Sequence, residues 1–264
     1  MPGRLIIVLA ACVLLAGCGA DARPAQSPPP RPAQPAPASP ADQLTATWHE
    51  LRAAIATWRR DGDSAQGDAP PEVLELAQRQ RALYARLAER RGLARRVLAQ
   101  VRGGVRGEAR DVIAARRALT VLNAPFAKTR RKLRTGPPEP ADVLLGHYRE
   151  AEARYGVDWG LLAAVNLVET LFGRIRSHSV AGAQGPMQFM RATWRAYGRG
   201  DVDDPRDAIL GAANYLRQSG APGDEARALY AYNRSPLYVR AVSRYARRMR
   251  KDPETFYAFY AWRP

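Results

Sequence analysis

Proline is gathered into two clusters in this 264-residue chain, and because proline lacks a backbone N–H and disfavours helix in the residue before it, the clusters divide what can fold. From Ala22 to Ala41 proline alternates with alanine, serine and glutamine, as in Ser27-Pro28-Pro29-Pro30-Arg31-Pro32. Such a composition cannot bury a core and favours extended polyproline II, so it reads as a stalk. The second cluster, Thr135-Gly136-Pro137-Pro138-Glu139-Pro140, stops any helix that precedes it. Four segments follow: 1–17, a stalk over 18–42, a region over 43–136 and a last domain over 137–264.

Segment 1–17 carries Arg4, then an unbroken apolar run from Leu5 to Ala16. A bilayer core needs about 20 apolar residues, so the run is too short for a mature span and reads as a secretory signal. Leu15-Ala16-Gly17-Cys18 resembles the lipobox of bacterial lipoproteins, which implies lipidation at Cys18 and anchoring of the mature chain to a membrane on its extracytoplasmic side. An ordinary cleaved signal peptide is the alternative. With Cys12 inside the removed segment and Cys18 lipidated, no disulfide is expected.

The formal net charge is +16, with Lys and Arg together at 41 against 25 acidic residues. That balance favours anionic surfaces such as lipid headgroups, wall polymers or nucleic acid. No recognised nucleic-acid-binding motif is visible, and an envelope lipoprotein would not meet nucleic acid, so membrane and wall are the expected attractors. A mere compositional bias toward Arg and Ala explains the charge equally well.

Between Leu44 and Arg134 the chain reads as helical, with turn signals at Asp61-Gly62-Asp63, Ala69-Pro70-Pro71 and Gly103-Gly104. Glu72 to Arg102 is rich in helix formers and reads as one helix. After it, Val105, Val112, Leu119, Phe126 and Leu133 recur at sevenfold spacing, which predicts a helical hairpin or small bundle; Gly107 and Pro125 argue against one uninterrupted helix. No catalytic constellation is visible here, and a structural or docking role is expected.

The segment from residue 137 begins with a helix over Asp142 to Tyr155. A second, capped by Asp158, presents Leu161, Leu162, Val165, Val168 and Phe172 inward and is expected to end in a left-handed Gly173. Glu169 falls in its last turn at the edge of that apolar stripe. Both the negative end of the helix dipole and the loss of solvent disfavour a carboxylate there, so its pKa should rise. A protonated glutamic acid near neutral pH is what protonation of a leaving sugar oxygen requires. On the helix alone, an ion pair of Glu169 with Arg174 or Arg176 is an equal reading.

Ser179-Val180-Ala181-Gly182-Ala183-Gln184-Gly185-Pro186-Met187-Gln188 and, further on, Ala231-Tyr232-Asn233 follow in order. An acid closing a helix, then S-x-x-G-A-x-G-x-M-Q, then A-Y-N resembles the soluble lytic transglycosylases, relatives of goose-type lysozyme, over roughly Ala141 to the C-terminus. The resemblance implies an all-α, lysozyme-like domain, preceded here by the helical region, that cleaves the β-1,4 bond between N-acetylmuramic acid and N-acetylglucosamine in peptidoglycan glycan strands. It implies Glu169 as the single acid/base, acting without cofactor and forming a 1,6-anhydro product. It also implies that Gly185, Met187 and Gln188 line the cleft, that Tyr232 hydrogen-bonds Glu169, that Asn233 fixes a turn or touches substrate, and that Thr170 stands at a binding position usually held by serine. Pro186 and Arg191 depart from the usual leucine and proline. A muramidase that uses water and a non-catalytic peptidoglycan-binding lipoprotein are the alternatives.

Asp204-Pro205-Arg206-Asp207 reads as a helix start. Asp201 and Asp203 lack the ligand spacing of a calcium loop, and His49, His147 and His178 are scattered, so no metal is assigned. The aromatic tail from Phe256 to Trp262 reads as a segment packing back on the domain, or as a stacking surface for sugars.

Overall fold

The computed structural model describes residues 38–126 and 133–264. The signal segment, Cys18 and most of the stalk lie outside the described residues. No described helix is long and apolar enough to cross a membrane.

Eleven α-helices make up the described residues, joined by turns and two isolated bridges, with no strand among them. The fold class is therefore all-α, as the sequence implies. Helix α1 (Pro40–Arg60) takes in the last three residues of the expected stalk, because Ser39 accepts from Asp42 N at 3.2 Å and Pro40 occupies the first turn, where its missing N–H costs nothing. It buries Leu44, Leu51, Ile55 and Trp58 and ends as Gly62 turns left-handed at φ 80°. Pro70 and Pro71 then open α2 (Pro71–Glu89). The helix expected to run on to Arg102 breaks at Arg90 (φ −104°, ψ 88°), and α3 (Arg91–Gln100) resumes at an angle to it.

Helix α4 (Gly103–Asn123) corrects the expectation that Gly107 interrupts the pattern, since the helix passes straight through it. A Cβ at Gly107 would meet a guanidinium nitrogen of Arg248 at 2.6 Å, so the glycine is there for a close approach and not for a break. Val105 and Val112 are buried as their spacing predicts, but Leu133 lies beyond the helix and is half exposed. The side chain of Phe126 lies outside the described residues.

The C-terminal part follows as α5 (Ala141–Tyr155), α6 (Trp159–Thr170), α7 (Arg191–Tyr197), α8 (Pro205–Gln218), α9 (Glu225–Tyr232), α10 (Pro236–Lys251) and α11 (Glu254–Tyr260). Helix α6 is buried on nearly every face from Trp159 to Leu167, as a helix apolar all round must be, and it packs between α5 and α10. Asp158 caps it through Leu161 N at 2.9 Å, and Asp204 caps α8 through Asp207 N at 2.8 Å, both as read from sequence.

The boundary expected at residues 136 and 137 does not separate two bodies: Ala38–Pro264 forms one compact unit. Helix α10 packs on α4 as well as on α6, so the N-terminal helices and the central helix share one partner. The α4/α10 seam holds a fully buried carboxylate, Asp111, paired with Arg244 at 2.9 Å, Arg248 at 2.6 Å and also Arg247. Beside it, buried Glu108 accepts from Tyr84 Oη at 2.7 Å, Trp48 Nε1 at 3.0 Å and Arg52 at 2.9 Å, and Arg52 also reaches Asp252.

The aromatic tail completes the join. Phe256, Tyr257, Phe259, Tyr260 and Trp262 are all buried, with Trp58 of α1 edge-on to Tyr257 at 5.9 Å and Tyr84 of α2 edge-on to Trp262 at 6.5 Å. The tail thus packs as core; its burial excludes a sugar-stacking surface.

Candidate active site

Glu169 reaches its place because α6 ends unusually. Leu171 N–H donates to Leu167 O at 3.1 Å, and Phe172 N–H reaches back to Asn166 O at 3.2 Å, a Schellman-type closure. The left-handed turn starts at Leu171 (φ 52°) and continues through Phe172 (φ 61°) to Gly173 (φ 83°), two residues before the expected glycine. Left-handed backbone at two non-glycine residues stores strain that surrounding contacts must hold. Thr170 supplies one of them: its hydroxyl accepts from Gly173 N at 2.9 Å and donates to Pro186 O at 2.6 Å.

Those bonds also fix the glycine-punctuated loop. Gln184 and Phe189 exchange both backbone hydrogen bonds, at 2.8 and 2.9 Å, and Gln188 N closes the turn on Gly185 O at 3.0 Å. Gly185 (φ 71°) cannot be another residue, since a Cβ would lie 1.9 Å from Val202 O. Asn166 Nδ2 donates to Pro186 O at 3.2 Å and to Met187 Sδ at 2.9 Å, while Tyr232 Oη donates to Met187 O at 2.7 Å. Helices α6 and α9 therefore clamp the loop from two sides.

Three sequence expectations are corrected by this geometry. Thr170 is fully buried and holds the loop, so it is not placed to touch a substrate. Met187 is likewise fully buried, because Asn166 and the surrounding core draw its thioether inward, and it cannot pack on a sugar face. Tyr232 spends its hydroxyl on the loop; the phenol that donates to Glu169 Oε1, at 2.7 Å, is Tyr238 on α10. Gln188 keeps a partly exposed side chain whose amide donates to Gly185 O at 3.0 Å, and with Gly185 it lines a cavity of about 270 Å³ that also meets Arg176 and His178. Asn233 is partly exposed and ends α9, its carbonyl accepting from Ser235 N at 2.6 Å.

Tyr238 was legible only as part of a closing helix. Nothing local marks it: it is a buried aromatic one turn into α10, and only the packing of α10 on α6 brings its hydroxyl to the carboxyl. Its ring lies parallel to that of Tyr232, with an interplanar angle of 5° and centroids 6.4 Å apart, so the two phenols form a layer beside Glu169. Burial first, and then the neighbouring Glu169 charge, push both phenols well above their ordinary range and keep them protonated donors.

The ion-pair reading of Glu169 fails. Arg174 turns away to grip Asp68 through two bonds of 2.9 and 3.0 Å, and Arg176 donates to Pro137 O at 2.7 Å. With no cation to offset it, burial raises the Glu169 carboxyl from 4.5 to about 7, against the lowering effect of the Tyr238 hydrogen bond. A carboxyl that titrates near neutrality can both give and take a proton. Among the described residues no group of three or more His, Cys, Asp or Glu is placed to hold a metal ion.

Residues 147–254 match the family described as Transglycosylase SLT domain. The chain is also similar to proteins named membrane-bound lytic murein transglycosylase F. The protein of that name from Thiobacillus denitrificans is 30% identical over 127 residues, 45% of this chain and 27% of that protein. The one from Alcanivorax borkumensis is 35% identical over 94 residues, 33% of this chain and 20% of that protein. The one from Aeromonas hydrophila is 30% identical over 146 residues, 52% of this chain and 28% of that protein. The chain thus spans only about a quarter of the length of these relatives, and no solved structure matches it. Helices α6 to α10, with Glu169, Tyr232 and Tyr238 between them, fall within the residues that match the transglycosylase SLT domain.

Proposed function

We propose that the chain is a peptidoglycan lytic transglycosylase that cuts the bond between N-acetylmuramic acid and N-acetylglucosamine, with Glu169 as its acid and base. The observation that carries the reading is the Glu169 carboxyl itself: raised to about 7, held by a single phenol and paired with no cation among the described residues. A glycosidase that positions water needs a second carboxylate near the first. Among the described residues no other carboxylate acts on Glu169, which favours chemistry with one acid.

In that chemistry Glu169 gives its proton to the glycosidic oxygen as the bond from the muramic anomeric carbon to that oxygen breaks. The carboxylate left behind takes the proton of the same sugar's C6 hydroxyl, whose oxygen bonds to the anomeric carbon and closes a 1,6-anhydro ring. The proton count balances and no water is consumed. Tyr238 keeps Glu169 Oε1 oriented through both steps, because a phenol can donate to either protonation state. Gln188 and Asn233 are the partly exposed candidates to meet the substrate, while Gly185, Met187, Thr170 and Tyr232 shape the loop that carries Gln188.

Lipidation at Cys18 and a location at the outer face of a membrane belong to the same proposal; the relatives' printed name, membrane-bound, is consistent with it. The N-terminal helices, packed into the same unit, then serve as part of the enzyme's frame.

The test is incubation of purified peptidoglycan with the chain and with Glu169→Gln, reading released muropeptides by mass spectrometry. Products lighter by one water than hydrolysis products, absent with the variant, support the reading. Products with free reducing ends would instead make the enzyme a muramidase, and glycan binding without release would make it a binding module.

A further inference from the structure

A second cavity, of about 680 Å³, lies apart from the one beneath Gln188. It opens where the N-terminal helices meet the family-matched part: Leu119 of α4 on one side, Leu167 and Val168 of α6 and Leu171 just past its end on the other. Two guanidiniums line it, Arg81 of α2 and Arg116 of α4. Neither has an acidic partner among the described residues, in a molecule where most other partly buried arginines grip a carboxylate or carbonyl. Their charges act on one another across the shared lining: burial first, then the Arg116 charge, lower Arg81 from its ordinary value. Both charges also act on the Tyr245 phenol in the same lining, opposing the burial that pushes it up to about 12.

Two like charges brought together beside an apolar wall are unfavourable unless an anion joins them. Two guanidinium forks, with the aliphatic side chains of the lining between them, describe a site for a carboxylate carried on small aliphatic residues.

The position says whose carboxylate. Tyr238 and Tyr245 lie seven residues apart on one buried face of α10, about 10 Å along the helix. The first holds Glu169 and the second lines the cavity, and Val168 and Leu171 of the lining flank Glu169 in the chain. A short peptide attached to the sugar being cut, extending at about 3.3 Å per residue, spans that distance in three residues. Muramic acid in peptidoglycan bears such a stem, built of alanines and carboxylate-bearing residues.

We propose that this cavity binds the peptide stem of the muramic acid undergoing cleavage, with Arg81 and Arg116 gripping a stem carboxylate. The inference rests on the proposed glycan-cutting function for its choice of ligand, but its test does not depend on turnover. The site makes the enzyme selective for glycan that still carries its peptides, and it gives the N-terminal helices a share in substrate recognition.

Two measurements on the full chain decide it. One is titration of a synthetic tetrapeptide stem, L-Ala-γ-D-Glu-diaminopimelyl-D-Ala, followed by tryptophan fluorescence. The other is kcat/KM on peptidoglycan against the same glycan stripped of stems by an amidase. Saturable tetrapeptide binding is expected, weakened at least tenfold in Arg81→Gln with Arg116→Gln and blocked in Leu119→Trp, which fills the cavity. The ratio of kcat/KM on intact over stripped glycan is expected to exceed ten and to fall to about one in those variants. Since neither arginine holds an acidic partner, the glutamine variants should melt no lower than the parent, which separates a lost ligand from a lost fold. Peptide binding without cleavage of either glycan would refute the proposed function and leave this site standing. Equal cleavage of both glycans with no peptide binding would overturn the site and leave the function. A saturable change in tryptophan fluorescence with phosphatidylglycerol vesicles but not with the tetrapeptide, lost in Leu119→Trp and in the glutamine variants, would overturn it in favour of a lipid.

Discussion

Replacing Glu169 by glutamine should stabilise the protein at alkaline pH, and the size of the effect follows from where the carboxyl sits. In the unfolded chain the group titrates at 4.5, and in the folded protein at about 7. Below pH 4.5 it is protonated in both states and contributes nothing to the pH dependence. Between 4.5 and 7 the folded protein holds a proton that the unfolded chain has released, so stability falls as pH rises. Above 7 both states are ionised and the full penalty persists. At about 1.4 kcal/mol per pH unit, that penalty is about 3 kcal/mol, or nearer 2 once the open side of the partly exposed carboxyl is allowed its contact with solvent. Glutamine keeps an acceptor for the Tyr238 hydroxyl and carries no charge to bury, so it escapes the penalty. For a folded unit of this size, 2 to 3 kcal/mol corresponds to a rise in Tm of roughly 5–10 °C. Differential scanning calorimetry of parent and variant from pH 4 to 9 should show coincident Tm values at the acid end and a gap that opens through pH 5 to 7. A gap that is constant across that range, or widest at low pH, would refute the assignment of a raised pKa to Glu169. The loss of activity in the same variant would then mark a residue that trades stability for chemistry.

Tyr238→Phe removes the hydrogen bond that lowers Glu169, so the limb of the pH–rate profile governed by Glu169 should move to higher pH, with a lower kcat; an unmoved profile would show that the phenol does not act through the carboxyl. Gly185→Ala should destabilise by several kcal/mol and abolish activity, because its Cβ would meet Val202 O at 1.9 Å, whereas Gly182→Ala, left-handed at φ 85° but with open space around it, should cost only about 1 kcal/mol by thermal melting. Asp111→Ala leaves Arg244, Arg247 and Arg248 clustered without their buried carboxylate, and should cost about 3–5 kcal/mol in urea unfolding; a loss under 1 kcal/mol would mean the arginines relax into solvent.

What the sequence determined by itself is the local part: the all-α class, the helix starts at Asp158 and Asp204, the breaks at Pro70-Pro71 and Pro137-Pro138, and an acid at the end of an apolar helix followed by a glycine-punctuated loop. These are legible because caps, proline and left-handed turns act over a few residues, and because the spacing of Glu169 within its helix already predicts a solvent-poor carboxyl with a raised pKa. Tertiary structure decided the partners. Which tyrosine holds Glu169 depends on how α10 crosses α6, and two tyrosines six residues apart compete for the role with nothing local to choose between them. Whether Thr170 and Met187 face substrate or core depends on which way the loop folds over α6, a matter settled by Asn166. The unity of the N-terminal helices with the rest rests on contacts between residues far apart in sequence, Asp111 with Arg248, Tyr84 with Trp262, Asp68 with Arg174. Burial of a charge or a ring is stabilising only when its partner arrives, and that arrival is a property of the packed chain, not of any segment within it.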